Sequence, residues 1–383
     1  TPVVYCPRLE RDIEPEEDPL VRAGYEVQRF KAFIPVLGLS EQRRKQMVSV
    51  GGNLMSFELV SSLFFEDSFS ILHSHALGRI GAIALAMAKQ RRVPFVVTIH
   101  GGVFDLPEKV RQAFNAPLTR GLEWGKLFGF LFKSHRLFRD ADAILTCNPR
   151  EAELLRERFP DKRIVVQPHG VEMSDYKADN RDAALEAFPQ IRGRKVLLSL
   201  GRVDPIKNQR WLLEQAGPMF AAHPDLLLLL AGPCTDAPYG KEVERAIRDL
   251  GLENRVLLTG GLASDDPRLL GLLQQASALV LPSVSETFGL VLLEAWAAGT
   301  VVLASRTSGA SALVEEASNG WLFDLARPAQ FHHALAQVLS DPARAKEMAR
   351  RGAEKVRSQY SIEAVAASVK RLYEDLLKTH SAN

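Results

Sequence analysis

Short apolar runs punctuate the chain at 70–75, 95–99, 143–147, 164–167, 196–200, 226–231, 256–259, 278–282 and 301–305. They are apolar on consecutive positions rather than on alternate ones, which predicts strands buried on both faces. Between most of them lie stretches of helical period, at 78–90, 151–159, 241–249 and 329–340. That alternation predicts an α/β protein with parallel sheets. At 383 residues the chain exceeds one ordinary hydrophobic core, so two Rossmann-like domains are expected. The polar, turn-rich stretch 168–193 marks the join, placing an N-terminal domain at 1–176 and a second at 177–360. Ser361 suits the N-cap of a last helix, and 361–383 is expected to pack back on the N-terminal domain.

Charge and cysteine content narrow the class. Lys and Arg number 48 against 46 Asp and Glu, a net charge of +2, which leaves no field to recruit nucleic acid. Cys6, Cys147 and Cys234 are far apart and sit in apolar stretches, so buried thiols in a reducing, cytoplasmic setting are expected. The strongest apolar run, 226–231, has strand length and not the roughly twenty residues of a membrane span. Residues 2–6 read as a buried strand, so no targeting peptide is visible.

Candidate chemistry collects where strands end. The strand 196–200 runs into Gly201-Arg202-Val203-Asp204-Pro205-Ile206-Lys207. The carboxyl edge of a parallel sheet is where ligands bind, and Arg202 and Lys207 can converge there on one diphosphate. A solvated surface turn fits the same residues. The strand ending at Leu281-Pro282 leads through Glu286, Thr287, Phe288 and Gly289 into an apolar helix from Leu290, stopped at Gly299. The start of that helix offers backbone N–H groups from Thr287 to Leu290, suited to phosphate or sugar hydroxyls. Glu286 stands just before it, and Glu294 about two turns further on. On the residues alone, Glu294 fits a ligand contact or a surface carboxylate equally. His100 follows the strand 95–99 and precedes Gly101-Gly102, again at a ligand-binding edge. His73 and His75 share a strand face, but no nearby cysteine or carboxylate completes a metal set, so they are read as core or cleft-lining histidines.

Gly201-Arg202 to Lys207, followed by SETFGLVLLEAWAAGT with seven residues between Glu286 and Glu294, resembles the signature of the family 4 retaining glycosyltransferases. The resemblance spans nearly the whole chain. It implies the GT-B fold, two Rossmann-like domains facing each other across an interdomain cleft. It further implies a catalytic set of Glu286, His100, Arg202 and Lys207: the two cations hold the donor diphosphate, Glu286 contacts donor-sugar hydroxyls, and His100 faces the sugar and phosphates. Donor binding falls to Glu294 on the ribose, to the backbone of Thr287, Phe288, Gly289 and Leu290, and to Gly201 and Gly101. The reaction so implied is front-face transfer with retention, from a nucleotide-diphosphate sugar to a hydroxyl of a carbohydrate, lipid-linked or small-molecule acceptor. A UDP-linked hexose or N-acetylhexosamine is the favoured donor. No metal and no cofactor are implied, the donor being a co-substrate.

The chain also departs from the family pattern. His169-Gly170-Val171-Glu172 stands for the usual Asn-Gly-Val-Asp, and Ala310-Ser311-Ala312 lacks the Pro-Glu pair usual after Arg306-Thr307-Ser308-Gly309, which keeps that loop out of the catalytic set. Thr1 begins at what resembles the second strand, so the family's first strand and glycine-rich loop are not found. Residues 104–140 mix basic and aromatic side chains, which fits a packed helix with solvated cations or a peripheral contact with anionic lipid. Three other functions compete: a noncatalytic nucleotide-sugar-binding protein, a GT-B epimerase or phosphorylase, and a nicotinamide-dependent dehydrogenase. The last lacks its GxGxxG turn.

Overall fold

The computed structural model describes residues 2–8, 18–38, 54–66, 68–105 and 122–381. The chain divides into two compact units, one formed by 1–146, 150–166 and 370–383, the other by 147–149 and 167–369.

In the first unit, β1 (Val3–Arg8) pairs in parallel with β2 (Glu26–Lys31). A four-stranded parallel sheet follows, built from β3 (Leu72–Ser74), β4 (Phe95–Ile99), β5 (Ala143–Thr146) and β6 (Arg163–Val166) in that spatial order. The strands β4 and β5 are buried at every position, as their unbroken apolar runs require. β1 is only half-buried, less than its sequence suggests, because its polar partner β2 leaves it at the border of the core. Helix α1 (Phe57–Phe65) starts on Ser56, whose hydroxyl accepts from Leu59 N at 3.0 Å. Helix α2 (Gly78–Arg91) buries Ile83, Leu85 and Met87. The end of the chain contributes Leu372 and Leu376, which pack with Val96, Ala143 and Leu145.

The second unit is a six-stranded parallel sheet. Its strands are β7 (Lys195–Leu200), β8 (Leu226–Ala231), β9 (Val256–Gly260), β10 (Ala278–Leu281), β11 (Val302–Ser305) and β12 (Gly320–Phe323). Their spatial order is β9-β8-β7-β10-β11-β12. Successive residues point to opposite faces, and both faces are covered. Leu226, Leu228 and Leu230 therefore join one core with Phe323 and Phe331, while Leu227 and Leu229 join the other with Trp296. An alternating polar strand would leave one of these cores unfilled, which is why the run must be apolar throughout.

Cys234 is exposed, against the expectation of a buried thiol: it lies in the turn before α3 (Ala237–Asp249) with its sulfur 3.3 Å from Asp236 O. Cys147 is buried and Cys6 half-buried, and all three are free thiols.

The ends of β7 and β8 approach closely because two glycines let them. Gly201 and Gly232 have φ of +148° and +146°, and a Cβ on Gly232 would sit 2.0 Å from Gly201 O. Gly232→Ala is expected to cost about 2 kcal/mol or more, lowering the midpoint of thermal unfolding by roughly 4–8 °C in calorimetry.

Candidate functional site

The strand order of the second unit reverses between β7 and β10, whose first paired residues are Leu197 with Ala278 and Leu198 with Leu279. The connections leaving these two strands run off to opposite sides, which opens a crevice at their carboxyl ends. Gly201 to Lys207 leaves β7 there, and Pro282 to Gly289 leaves β10.

Asp204, nearly buried, organises the first loop. Its Oδ1 accepts from Ile206 N and Lys207 N at 3.0 Å each, and its Oδ2 lies 3.2 Å from Arg202 Nη2. Gln209 Nε2 donates to Arg202 O at 2.8 Å, so Arg202 is fixed at its backbone while its side chain stays half exposed. Gly201 has a second role here: the Lys207 side chain lies over it, with Cε 3.2 Å from where a Cβ would be.

Three contacts join the two loops. Asn208, at φ +59°, donates from Nδ2 to Pro282 O at 3.2 Å; Val284 N donates to Ile206 O at 2.8 Å; and Lys207 Nζ meets Glu286 Oε2 at 2.5 Å. The Lys207 and Glu286 side chains are 17% and 15% exposed. Screening by water is weaker there than at the surface, so this ion pair is stronger than an exposed one of the same length.

Glu286 to Gly289 is held from beneath. Gly309 N donates to Glu286 O at 2.8 Å, and a Cβ on Gly309 would come within 2.5 Å of Phe288 N, so the loop lies directly on that glycine. Asn148, fully buried, donates from Nδ2 to Thr287 O at 2.8 Å. The Phe288 ring is buried against His169, 5.0 Å between centroids, so Phe288 can offer a ligand its backbone but not its side chain. Gly289, at φ +92°, turns the chain into α4 (Leu290–Ala297), and Leu290 is exposed. Glu294 is half-buried on α4, and its carboxylate makes no hydrogen bond or ion pair with another described residue. Burial holds its carboxyl above the usual range. The Tyr176 phenol is raised too, first by burial and then by the nearby Glu294 charge.

The structure thus gathers Gly201, Arg202, Lys207, Glu286 and the backbone of Thr287 to Leu290 at one sheet edge, with Glu294 further along α4. Asp204, Asn148 and Gly309 support them, and none of these three stood out in the sequence. An Asp two residues after a Gly-Arg turn was the available signal for the first. Gly309 lies in the loop that the missing Pro-Glu pair had set aside.

His100 and Gly101 belong to the first unit, just past β4. His75 Nδ1 lies 2.8 Å from His100 Nε2, and burial lowers the His100 pKa although the residue as a whole is exposed. Gly102, at φ +70°, turns the chain, and buried Glu151 accepts from the N–H groups of Val103, Phe104 and Asp105 at 2.8, 3.0 and 2.9 Å. One carboxylate therefore orders the segment that follows the His-Gly-Gly turn. His73 binds the Tyr373 hydroxyl through Nδ1 and Thr98 Oγ1 at 2.6 Å through Nε2. Among the described residues no group of three or more His, Cys, Asp or Glu is arranged to hold a metal ion.

Two family profiles account for almost all of the chain: "Glycosyltransferase Family 4" matches 1–175 and "Glycosyl transferases group 1" matches 181–355. The chain belongs to glycosyltransferase family 4. It is an enzyme that transfers a glycosyl group, and its fold is GT-B, with two Rossmann-like domains. This glycosyltransferase is similar to the D-inositol 3-phosphate glycosyltransferase of Corynebacterium glutamicum, 25% identical across 97% of this chain and 88% of the relative. The enzyme of the same name from Thermobispora bispora is 28% identical across 83% and 73%. Among solved structures, Anabaena Alr3699/HepE in complex with UDP and glucose matches with a TM-score of 0.69 at 17% identity, covering 93% of this chain and 88% of that one. Sucrose-phosphate synthase from Thermosynechococcus elongatus gives 0.68 at 21% identity, covering 94% and 91%. At these identities the structures speak for the fold of this glycosyltransferase.

The His73 environment yields a pH prediction. Burial first, then His75 and His100, lower its pKa from 6.5 to about 3. The unfolded chain therefore binds a proton that the folded one refuses, and stability falls as pH drops from about 6.5 towards 3. The expected slope from this group is at most about 1.4 kcal/mol per pH unit. Urea titrations at pH 7 and pH 5 should show the loss, and His73→Gln should flatten it.

Proposed function

We propose that this glycosyltransferase moves a hexosyl or N-acetylhexosaminyl group from a UDP-sugar to an acceptor hydroxyl, with retention and without a metal. The observation that carries the reading is the Lys207–Glu286 pair, mostly covered, at the topological switch point, with Arg202 on the same loop as Lys207. A diphosphate entering that crevice replaces the Glu286 carboxylate as the partner of Lys207, which frees Glu286 to accept hydrogen bonds from sugar hydroxyls. The N–H groups from Thr287 to Leu290, on a loop braced by Gly309 and Asn148, complete the cradle. Glu294, raised by burial and near Tyr176, suits the ribose. The Anabaena structure with UDP and glucose supports the choice of donor, and the name of the D-inositol 3-phosphate relatives supports a hydroxyl acceptor.

In the proposed step the acceptor oxygen bonds to the anomeric carbon on the face from which the diphosphate departs. The bond from that carbon to the β-phosphate oxygen breaks, and the departing oxygen takes the acceptor proton. Arg202 and Lys207 neutralise the charge that builds on the leaving group, the work a bound cation does in other phosphate chemistry. His100 and Gly101 are assigned to the donor-sugar side.

Lys207→Ala and Glu286→Gln are expected to fold and to lose about 10²–10³-fold in kcat/KM with a UDP-sugar, while the parent enzyme keeps its rate in EDTA and forms a product of retained anomeric configuration by NMR. Near-normal turnover in either variant removes that residue from its role, and loss of activity in EDTA removes metal independence.

We also propose a cytoplasmic enzyme that touches the inner face of the membrane through part of 104–140. Of that stretch, 106–121 lies outside the described residues. Helix 126–131 leaves Leu127, Phe130 and Leu131 exposed between Lys126 and Lys133, an apolar and basic face suited to anionic lipid. No described helix is long and apolar enough to cross a membrane. Flotation should carry the enzyme with vesicles containing phosphatidylserine in low salt and release it in high salt; no flotation in low salt ends the idea.

A further inference from the structure

The proposed function uses His100 but leaves His73 and His75 without a task, and the three rings form a column. His73 in β3 and His75, the first residue past its end, stack with centroids 4.2 Å apart and planes 29° apart. His100 meets His75 edge to edge, with ring centroids 5.0 Å apart and planes 19° apart. The foot of the column is clamped at both nitrogens of His73, by the Tyr373 hydroxyl and by Thr98. Burial pushes the Tyr373 phenol up to about 12, so it stays protonated and able to donate. At the top, the 2.8 Å contact of His75 Nδ1 with His100 Nε2 is a hydrogen bond that needs a proton on one nitrogen and a lone pair on the other.

An imidazole at a strand end, followed by two glycines, has two soft torsions and little backbone to restrain it. A hydrogen bond at one nitrogen, made in the plane of the ring, fixes where that nitrogen points and with it the orientation of the ring. His75 supplies that bond to His100, and the stack on His73 holds His75 in place. Core packing does not account for His75, because the residue is exposed.

We propose that His75 is a positioning residue for His100, holding its imidazole in one orientation for the donor and acting on transfer through His100 alone. The proposal rests on the donor-side role given to His100 above. His75→Phe keeps a flat ring for the stack and removes the hydrogen bond. His75→Asn returns an amide near the place of Nδ1.

The test is made on the full chain, with the imidazole nitrogens followed by ¹⁵N NMR of histidine-labelled protein and UDP release from UDP-glucose measured in parallel. His75→Phe is expected to shift the His100 ring nitrogens and to lower kcat about tenfold to a hundredfold, with KM within about twofold. His75→Asn should recover most of that loss, and in a His100→Ala background His75→Phe should cost nothing further. Unchanged His100 signals in a folded His75→Phe protein overturn the proposal. So does a His75→Phe loss that persists in full beside His100→Ala. If His100→Ala alone turns over at the parental rate, the role of His100 fails, and the ¹⁵N spectra still decide whether His75 orients the ring.

Discussion

Everything at the candidate donor site depends on one ion pair. Lys207 and Glu286 are 79 residues apart in sequence, yet they meet where the sheet of the second unit reverses its strand order. A lysine and a glutamate taken mostly out of water must be partnered, because either left alone would carry a desolvation cost of several kcal/mol. The pair therefore fixes the relative position of the loops after β7 and β10, and the neighbouring contacts from Asn208 and Val284 share the load. On the proposed reading, a phosphate oxygen takes the place of the Glu286 carboxylate as the partner of Lys207.

Asp204, Gly309 and Asn148 set where Arg202, Glu286 and Thr287 stand. Electrostatic stabilisation of a leaving group is effective when the charges are in place before the reaction, so that no reorganisation is needed as charge develops. Glu151 does the same for the segment after His100 in the first unit, with one carboxylate ordering three successive amides.

Much of the fold was legible in the chain. The runs at 226–231 and 95–99 are strands because two-sided burial demands apolar residues at every position, and that demand is visible locally. Among the described strands that were missed, two show why. Glu26–Lys31 is mostly polar and, among the described strands, pairs with β1 alone, and Gly320–Phe323 is a short run opened by a glycine. At the candidate site, the meeting of Gly201, Arg202, Lys207 and Glu286 at one sheet edge was readable from motif and spacing. Their supports were not, since the bond from Asn148 to Thr287 spans 139 residues and exists only once the chain is folded. Cys234 shows the opposite error: apolar neighbours suggested burial, but a turn places it on the surface.

The most direct test of the central claim is a crystal structure of the enzyme with UDP. The account predicts β-phosphate oxygens within hydrogen-bonding distance of Lys207 Nζ and of backbone N–H groups between Thr287 and Leu290, with Arg202 turned toward the same group and Glu286 released from Lys207. UDP bound elsewhere, with Lys207 still closed on Glu286, would contradict it.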